Sequence, residues 1–135
     1  MASQGLHPDV KVSTSGMVLV AGSFATNGST SVATSTFRGN CISSVTWSAT
    51  GAYNVVLNKG LGFRYVLAGD AQLAESAAAP DGSYATLCPP TPEGSNAALT
   101  FKIVTFTCAG GAAPLDFTTR RVSFYLWCKN SLAGS

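Results

Sequence analysis

The residue types that most often carry catalysis are few in this sequence and widely spaced. The single histidine, His7, stands beside Pro8 near the N-terminus, where we expect an exposed side chain that the fold does not hold in place. A serine or cysteine nucleophile needs a base at hydrogen-bond distance, and His7 is poorly placed to supply one. The sequence therefore predicts no nucleophilic catalytic site.

The acidic residues raise the possibility of glycoside hydrolysis or calcium binding, because both need carboxylates that lie close together. A pair such as Asp70 and Glu75 could meet, but nothing in the spacing requires it. The acidic residues are spread over expected turns and strand ends, where carboxylates commonly accept hydrogen bonds from local backbone. We expect no enzyme activity, no metal ion and no cofactor. The six are Asp9, Asp70, Glu75, Asp81, Glu93 and Asp116.

The four cysteines lack the close paired spacing of zinc sites, and they leave three possible disulfide connectivities open. The expected cytoplasmic synthesis favours reduced thiols over disulfides. Cys108 and Cys128 fall in apolar strand patterns, which predicts that both are buried. Cys88 precedes the loop sequence PPTPEG and is expected to be the most reactive of the four thiols.

Aromatic side chains are the remaining candidates for contact with a ligand or a partner. Tryptophans within alternating strands are more often core or interface residues than sugar-binding platforms. The candidates for an oligomer or capsid interface are Trp47, Tyr53, Phe106, Tyr125 and Trp127. Tyr84 lies in a region rich in proline and glycine, so a solvent-facing position is expected; the loop ligand candidates are Tyr84, Asp81 and Glu93.

The elements that must position these residues are strands. Residues 45–49 and 53–57 each place apolar side chains on one face and are separated by Thr50-Gly51, which predicts a hairpin with one buried side. A second turn at Asn58–Gly60 and a third alternating strand at 63–68 extend the prediction to a β-meander. The stretch 70–79 is interpreted as a strand that runs into a loop, in preference to a short helix ended by Pro80.

Further strand signals occur along the rest of the chain. Residues 11–26 predict one or two short strands, and a hairpin is expected at Asn27-Gly28, leading into a strand at 30–37. Between 77 and 96 the sequence predicts loops around one short strand at Tyr84–Leu87. The last two predicted strands, in the stretches 98–111 and 120–131, are apolar on both faces, which is typical of the middle of a sandwich or of a subunit interface.

These patterns predict an all-β fold: an antiparallel β-sandwich, jelly-roll-like, that forms trimers. At 135 residues one domain is expected, with residues 1–20 as an N-terminal arm and first strand and residues 21–135 as the sandwich. Charged residues make up only 10% of the chain, where about 25% is usual. We infer that partners cover much of the neutral surface.

The net charge of +2 and the scattered basic residues argue against a nucleic-acid binder, because phosphate binding needs a concentrated basic footprint. No stretch reaches the roughly 18 apolar residues of a membrane-spanning helix. The first residues lack the basic start and apolar run of a secretory signal. We therefore expect cytoplasmic synthesis and no membrane partner.

The order of segments resembles that of small virion structural proteins of tailed bacteriophages. In that family a V-T-x-x-x-T-G-x-Y-x-V-x-L hairpin precedes an F-x-I-x-T strand with a glycine-containing loop, and a final hydrophobic strand leads to N-S. The matching pieces are Val45–Leu57, Phe101–Pro114 and Val122–Ser131. The cysteines and the CPPTPEG stretch depart from the pattern, and residues 1–44 are not covered, so the capsid-binding surface cannot be carried over from the family.

The resemblance implies a capsid decoration or cement protein on the capsid exterior, often trimeric, that bridges adjacent major capsid subunits. In this view strands 101–106 and 122–128 form the core and the contacts between copies, and the N-terminal segment forms an arm on the capsid. Two alternatives stay open. A tail-fibre or receptor-binding knob that recognises a host glycan would use the same sandwich. A secreted trimer module of the complement or tumour-necrosis-factor type would need a signal peptide and probable disulfides.

Overall fold

The computed structural model describes residues 17–58, 65–74, 82–88, 99–108 and 110–129. Within these ranges the regular structure is β-strand, apart from one turn of 3₁₀ helix at Thr34–Thr36. The strands in chain order are β1 (Met17–Asn27), β2 (Ile42–Ala49), β3 (Ala52–Leu57), β4 (Tyr65–Leu73), β5 (Tyr84–Cys88), β6 (Thr100–Thr107), β7 (Ala113–Pro114) and β8 (Thr118–Lys129).

The strands form two antiparallel sheets that pack face to face, so the predicted all-β sandwich is confirmed. The small sheet has the order β1-β8-β4, and the large sheet has the order β2-β3-β6-β5, with β7 added beside β6. The first and last described strands are therefore neighbours, paired from Met17 opposite Lys129 to Asn27 opposite Thr118. The alternation of apolar and polar residues within a strand does not show that two strands so distant in the chain pair with each other.

The core lies between the two sheets, and two aromatic pairs make contact across it. Phe24 of β1 contacts Tyr53 of β3, with ring centroids 5.9 Å apart. Phe101 of β6 meets Phe124 of β8 edge-on at 5.2 Å. Because each pair takes one ring from each sheet, these contacts fix how the sheets stack, in the geometry that aromatic quadrupoles favour.

The predicted meander is wrong, although its first hairpin is confirmed. Strands β2 and β3 pair from Ile42 opposite Leu57 to Ala49 opposite Ala52. The next strand in the chain, β4, lies in the other sheet beside β8, and the second neighbour of β3 is β6. An alternating pattern specifies which face of a strand is buried, but it does not specify which strand lies alongside.

The predicted hairpin at Asn27-Gly28 and the strand at 30–37 are also wrong. Gly28 has the expected positive φ of 60°, but β1 pairs with β8 and residues 34–36 are helical. The chain returns to β1 only at an isolated bridge between Ser23 and Arg38. The dipeptide therefore ends a strand without starting a tight hairpin.

Two other strand predictions are confirmed. The short strand expected at Tyr84–Leu87 is β5, and the described part of the 70–79 stretch, up to Leu73, belongs to β4 and not to a helix. Strand β1 crosses the expected boundary at residue 20, since it continues from Met17 to Asn27 in one sheet. The division into an arm and a sandwich stays a prediction.

Candidate interaction surface

The outer surface of the small sheet exposes large apolar side chains, and we call it the aromatic face. Strand β8 alternates strictly here: Val122, Phe124, Leu126 and Cys128 point into the core, and the residues between them point outward. Trp127 is 37% exposed and Tyr125 is 43% exposed. In β1, Leu19 lies opposite Trp127 and is 52% exposed. Two of the predicted interface residues, Tyr125 and Trp127, therefore lie side by side on one open surface.

A bulge in β4 adds a further apolar side chain beside this face. Val66 pairs with Cys128 and Ala68 pairs with Trp127, so β4 holds one residue more than β8 at this point. The extra residue, Leu67, is 52% exposed. Bulges are common at sheet edges, where they redirect side chains. Exposed apolar residues that are grouped in this way are typical of interaction sites, whereas isolated ones are not.

Leu19, Tyr125 and Trp127 form a ridge on the aromatic face. Next to this ridge, the same surface has two shallow depressions. Ser123 lies on the floor of both. One depression, of about 340 Å³, reaches towards Arg38, and the other, of about 140 Å³, reaches towards Asp70. The aromatic face thus has both protruding apolar side chains and depressions, and a protein surface of complementary shape can pack against it.

Trp47 has an internal role that the sequence does not predict. Its indole Nε1–H donates to the Asp116 carboxylate at 2.8 Å, and the backbone N–H of Gly51 donates to the same oxygen at 2.6 Å. Asp116 therefore ties the segment before β8 to the β2–β3 hairpin. A half-buried tryptophan usually needs a partner for its N–H, so this contact accounts for Trp47 within one copy of the chain.

The same end of the sandwich is held by Thr105, which is fully buried. Its hydroxyl donates to the carbonyl of Leu115 at 2.8 Å and also lies 3.2 Å from the carbonyl of Gly51. Gly51 has a φ of +71°, and a Cβ there would lie 2.6 Å from the Thr105 carbonyl oxygen. Only glycine fits this position, because any side chain would meet backbone.

The assignment of Tyr53 to an interface is corrected, since its side chain is 0% exposed. Its hydroxyl donates to the carbonyl of Gly28 at 2.8 Å. Burial, with a smaller contribution from the Asp116 carboxylate, raises the pKa of Tyr53 to about 12. Tyr53 is a core residue, because the face of β3 that the hairpin pattern marked as apolar is the face that meets the other sheet.

A second aromatic feature lies on the outer surface of the large sheet. Tyr84 of β5 is opposite Phe106 of β6, and their rings stack at 5.0 Å with an angle of 11° between their planes. Tyr84 is 38% exposed, as expected, and Phe106 is half-buried. Phe106 is also opposite the exposed Pro114 on its other side. The three residues form a row of flat apolar groups.

The four cysteines divide into two buried and two exposed thiols, and none of them forms a disulfide bond. Cys128 is buried and Cys88 is exposed, both as predicted. The prediction for Cys108 is wrong: β6 ends at Thr107, so Cys108 lies just beyond the strand, exposed, and donates to the carbonyl of Gly82. Cys41 is buried, its thiol donates to the carbonyl of Ala21, and burial raises the pKa of this thiol.

Several candidate residues lie outside the described residues, namely His7, Glu75, Asp81 and Glu93. Among the residues that the structure does describe, no group of three or more histidine, cysteine or acidic side chains could hold a metal ion. Within the same part of the chain, no helix has the length and apolar character needed to cross a membrane.

Sequence reasoning missed Leu19, Asp116 and Arg38 as members of these sites. A signal existed for Leu19, because the MVLV stretch is apolar at every position and must expose some of its residues on a sheet edge. Nothing local marked Asp116, whose partners are 65 and 69 residues away. Comparison of the chain with protein-family models, with curated proteins and with solved structures finds no match.

Proposed function

We propose that this protein is a non-enzymatic structural protein of a tailed-bacteriophage virion. It binds the outside of the capsid and stabilises the shell by bridging neighbouring major capsid subunits. The observation that carries the proposal is the aromatic face: a β-sandwich that leaves Leu19, Tyr125 and Trp127 exposed on one sheet. A surface of this kind suits permanent assembly better than turnover of a small substrate.

The finer fold and the oligomer belong to the same proposal. Pairing of the first and last described strands, and a chain that passes repeatedly between the two sheets, support the jelly-roll interpretation. A homotrimer covers the aromatic faces of three copies around one axis. Away from the Tyr84–Phe106 row, the opposite, large sheet presents threonine, serine and asparagine with Lys102 as a cation, and this polar surface is offered to the major capsid protein.

Cryo-electron microscopy of reconstituted particles tests the capsid role. Purified protein is mixed with capsids that lack it, and we expect density at regular positions between capsomers. A control mixture contains a variant with Thr46→Glu and Thr86→Glu, which places charge on the large sheet and leaves the aromatic face intact; it is expected to bind with lower occupancy. Bare shells with the wild-type protein would overturn the capsid role.

The Tyr84–Phe106 row favours one alternative: a tail-fibre or knob-like domain that recognises a host-surface glycan. A stacked aromatic pair with one open ring face suits the apolar side of a sugar ring. Glycan-array binding that is lost in Tyr84→Ala and kept in the matched variant Tyr125→Ala would favour this alternative. Equal loss in both variants, or no binding by the wild-type protein, would count against it.

A further inference from the structure

The aromatic face carries opposite charges at its two edges. The bridge between Arg38 and Ser23 extends the pairing of the sheet by one step, so Arg38 shares the outer surface with Ser23, Ser123 and Gln72. Asp70, opposite Tyr125, stands on the far edge strand β4. The two depressions connect these residues, since one is lined by Arg38, the other by Asp70, and both by Ser123.

These two charges cannot neutralise each other within one copy. Three strand spacings separate them across the sheet and two residues separate them along it, which gives about 16 Å between their Cα atoms. A salt bridge needs an N–O distance of about 4 Å or less. Arg121, a further cation among the described side chains of this surface, is already used: its guanidinium donates to Ser23 Oγ at 3.1 Å and to the Thr36 carbonyl at 2.8 Å.

We propose that Arg38 of one copy pairs with Asp70 of the next copy, so that the aromatic face is covered by copies of this chain in a closed ring. Each copy then offers its positive edge to one neighbour and its negative edge to the other, which is the pattern of a heterologous contact that closes. Beside the line that joins the two charges, the ridge of Leu19, Tyr125 and Trp127 supplies the apolar contact area.

Charge complementarity selects a second copy as the occupant. An arrangement that placed Arg38 against Arg38, or Asp70 against Asp70, would bring like charges together in an otherwise neutral interface, which disfavours it strongly. The pair therefore sets which edges meet. The choice of a ring over a two-fold dimer, in which each Arg38 would also meet an Asp70, comes from the trimer of the proposed function. This inference rests on the self-association that the proposed function includes, and it adds the residues that set its geometry.

Charge reversal tests the pair. Arg38→Glu and Asp70→Arg are each expected to weaken association by about tenfold or more in sedimentation equilibrium, because each single change opposes like charges. The double variant restores opposite charges with the sign exchanged, and we expect its association constant to return to within about threefold of the wild-type value. Lys102→Glu is the matched control for Arg38→Glu: it makes the same change in net charge, but on the large sheet, and is expected to leave association unchanged.

Two measurements separate loss of the pair from loss of the fold. Circular dichroism melting of each variant reports whether the sandwich is intact. Asp70→Asn keeps an oxygen that can accept the Ala71 N–H, which Asp70 accepts at 2.8 Å, and removes only the charge; weaker association in this variant supports the pair.

Three results would overturn the inference: a monomeric wild-type protein, single variants that associate normally, or a double variant as weak as the singles. A dimer that obeys the charge exchange would keep the pair and overturn the ring. The outcome is independent of capsid binding, since a charge-exchangeable ring that leaves capsids bare would retain the pair and remove only the capsid role.

Discussion

At the scale of single residues, burial determines which side chains are chemically available. Tyr53 and Cys41 each carry a titratable group inside the sandwich, hydrogen-bonded to a backbone carbonyl of β1 or of the turn that follows it. In both cases burial raises the pKa, because the charged form would lose its hydration. Tyr53 and Cys41 therefore contribute to the stability of the fold, and their titratable groups are shielded from solvent.

Tyr53 predicts a loss of stability at alkaline pH. Its pKa is raised from 10.0 to about 12 in the folded chain, so the folded state holds the phenol proton more tightly than the unfolded state does. The stabilisation is complete below pH 10 and is lost as pH rises towards 12, by about 1.4 kcal/mol per pH unit. Urea unfolding between pH 9 and 12 measures this. Tyr53→Phe is expected to show a shallower decline, and equal slopes would contradict the assignment.

Thiol labelling provides a second residue-scale prediction. Ellman's reagent is expected to modify Cys88 and Cys108 rapidly in the native protein, since both are exposed. Cys41 and Cys128 are buried and should react only in urea. Mass spectrometry of the labelled peptides identifies the sites, and Cys88→Ser with Cys108→Ser serves as the unreactive control. Fast labelling of Cys128 in the native state would contradict its place in the core.

At the scale of elements, side-chain and backbone contacts at one end of the sandwich join segments that are distant in the chain. Asp116 is central, because one carboxylate oxygen accepts hydrogen bonds from Trp47 and from the Gly51 backbone. Thr105 adds the link between Gly51 and the Leu115 segment. Together they position the entry to β8, the strand from which the aromatic face is built.

Removal of the Asp116 carboxylate is expected to loosen this end. Asp116→Ala leaves the Trp47 and Gly51 donors without their acceptor in a partly buried place, which costs about 1–3 kcal/mol of unfolding free energy. Asp116→Asn keeps one acceptor oxygen and should lose less. Urea unfolding followed by tryptophan fluorescence measures both. An unchanged midpoint in Asp116→Ala would show that the contact adds nothing to stability.

The start of β8 stores backbone strain at Thr119. This residue has a φ of 59° at the point where β8 carries one residue more than β1, between the pairs Ala25–Arg121 and Asn27–Thr118. A β-branched residue is poorly suited to positive φ, whereas asparagine tolerates it. Thr119→Asn is therefore expected to stabilise the fold by about 0.5–1 kcal/mol. The neighbouring change Thr118→Asn is the control, and a destabilised Thr119→Asn variant would contradict the strain.

At the scale of the whole molecule, the aromatic face should control self-association. Tyr125→Thr with Trp127→Thr places β-branched residues, which favour strands, on β8 and removes both rings of the aromatic face, so we expect the sedimentation-equilibrium mass to fall towards that of the 13.8 kDa monomer. Tyr84→Thr, which removes one aromatic ring from the other sheet, should leave the mass unchanged. Dissociation by the Tyr84 variant alone would move the interface to the large sheet.

The sequence by itself determined the class of the fold and, in its most regular strands, which face is buried. Alternation in 53–57 and 122–128 marks the inward faces correctly, and the scarcity of histidine and paired carboxylates limits the chemistry. These properties are local, since side-chain direction repeats every two residues along a strand.

Only the tertiary structure decided which strands are neighbours, and therefore which surfaces exist. β4 lies in the other sheet and not in the predicted meander. β1 pairs with β8, which is about a hundred residues away in the chain, and Asp116 accepts a hydrogen bond from Trp47. The aromatic face and its charged edges depend on these long-range pairings. Many registers satisfy the same alternating pattern, and the core contacts between the two sheets select one of them.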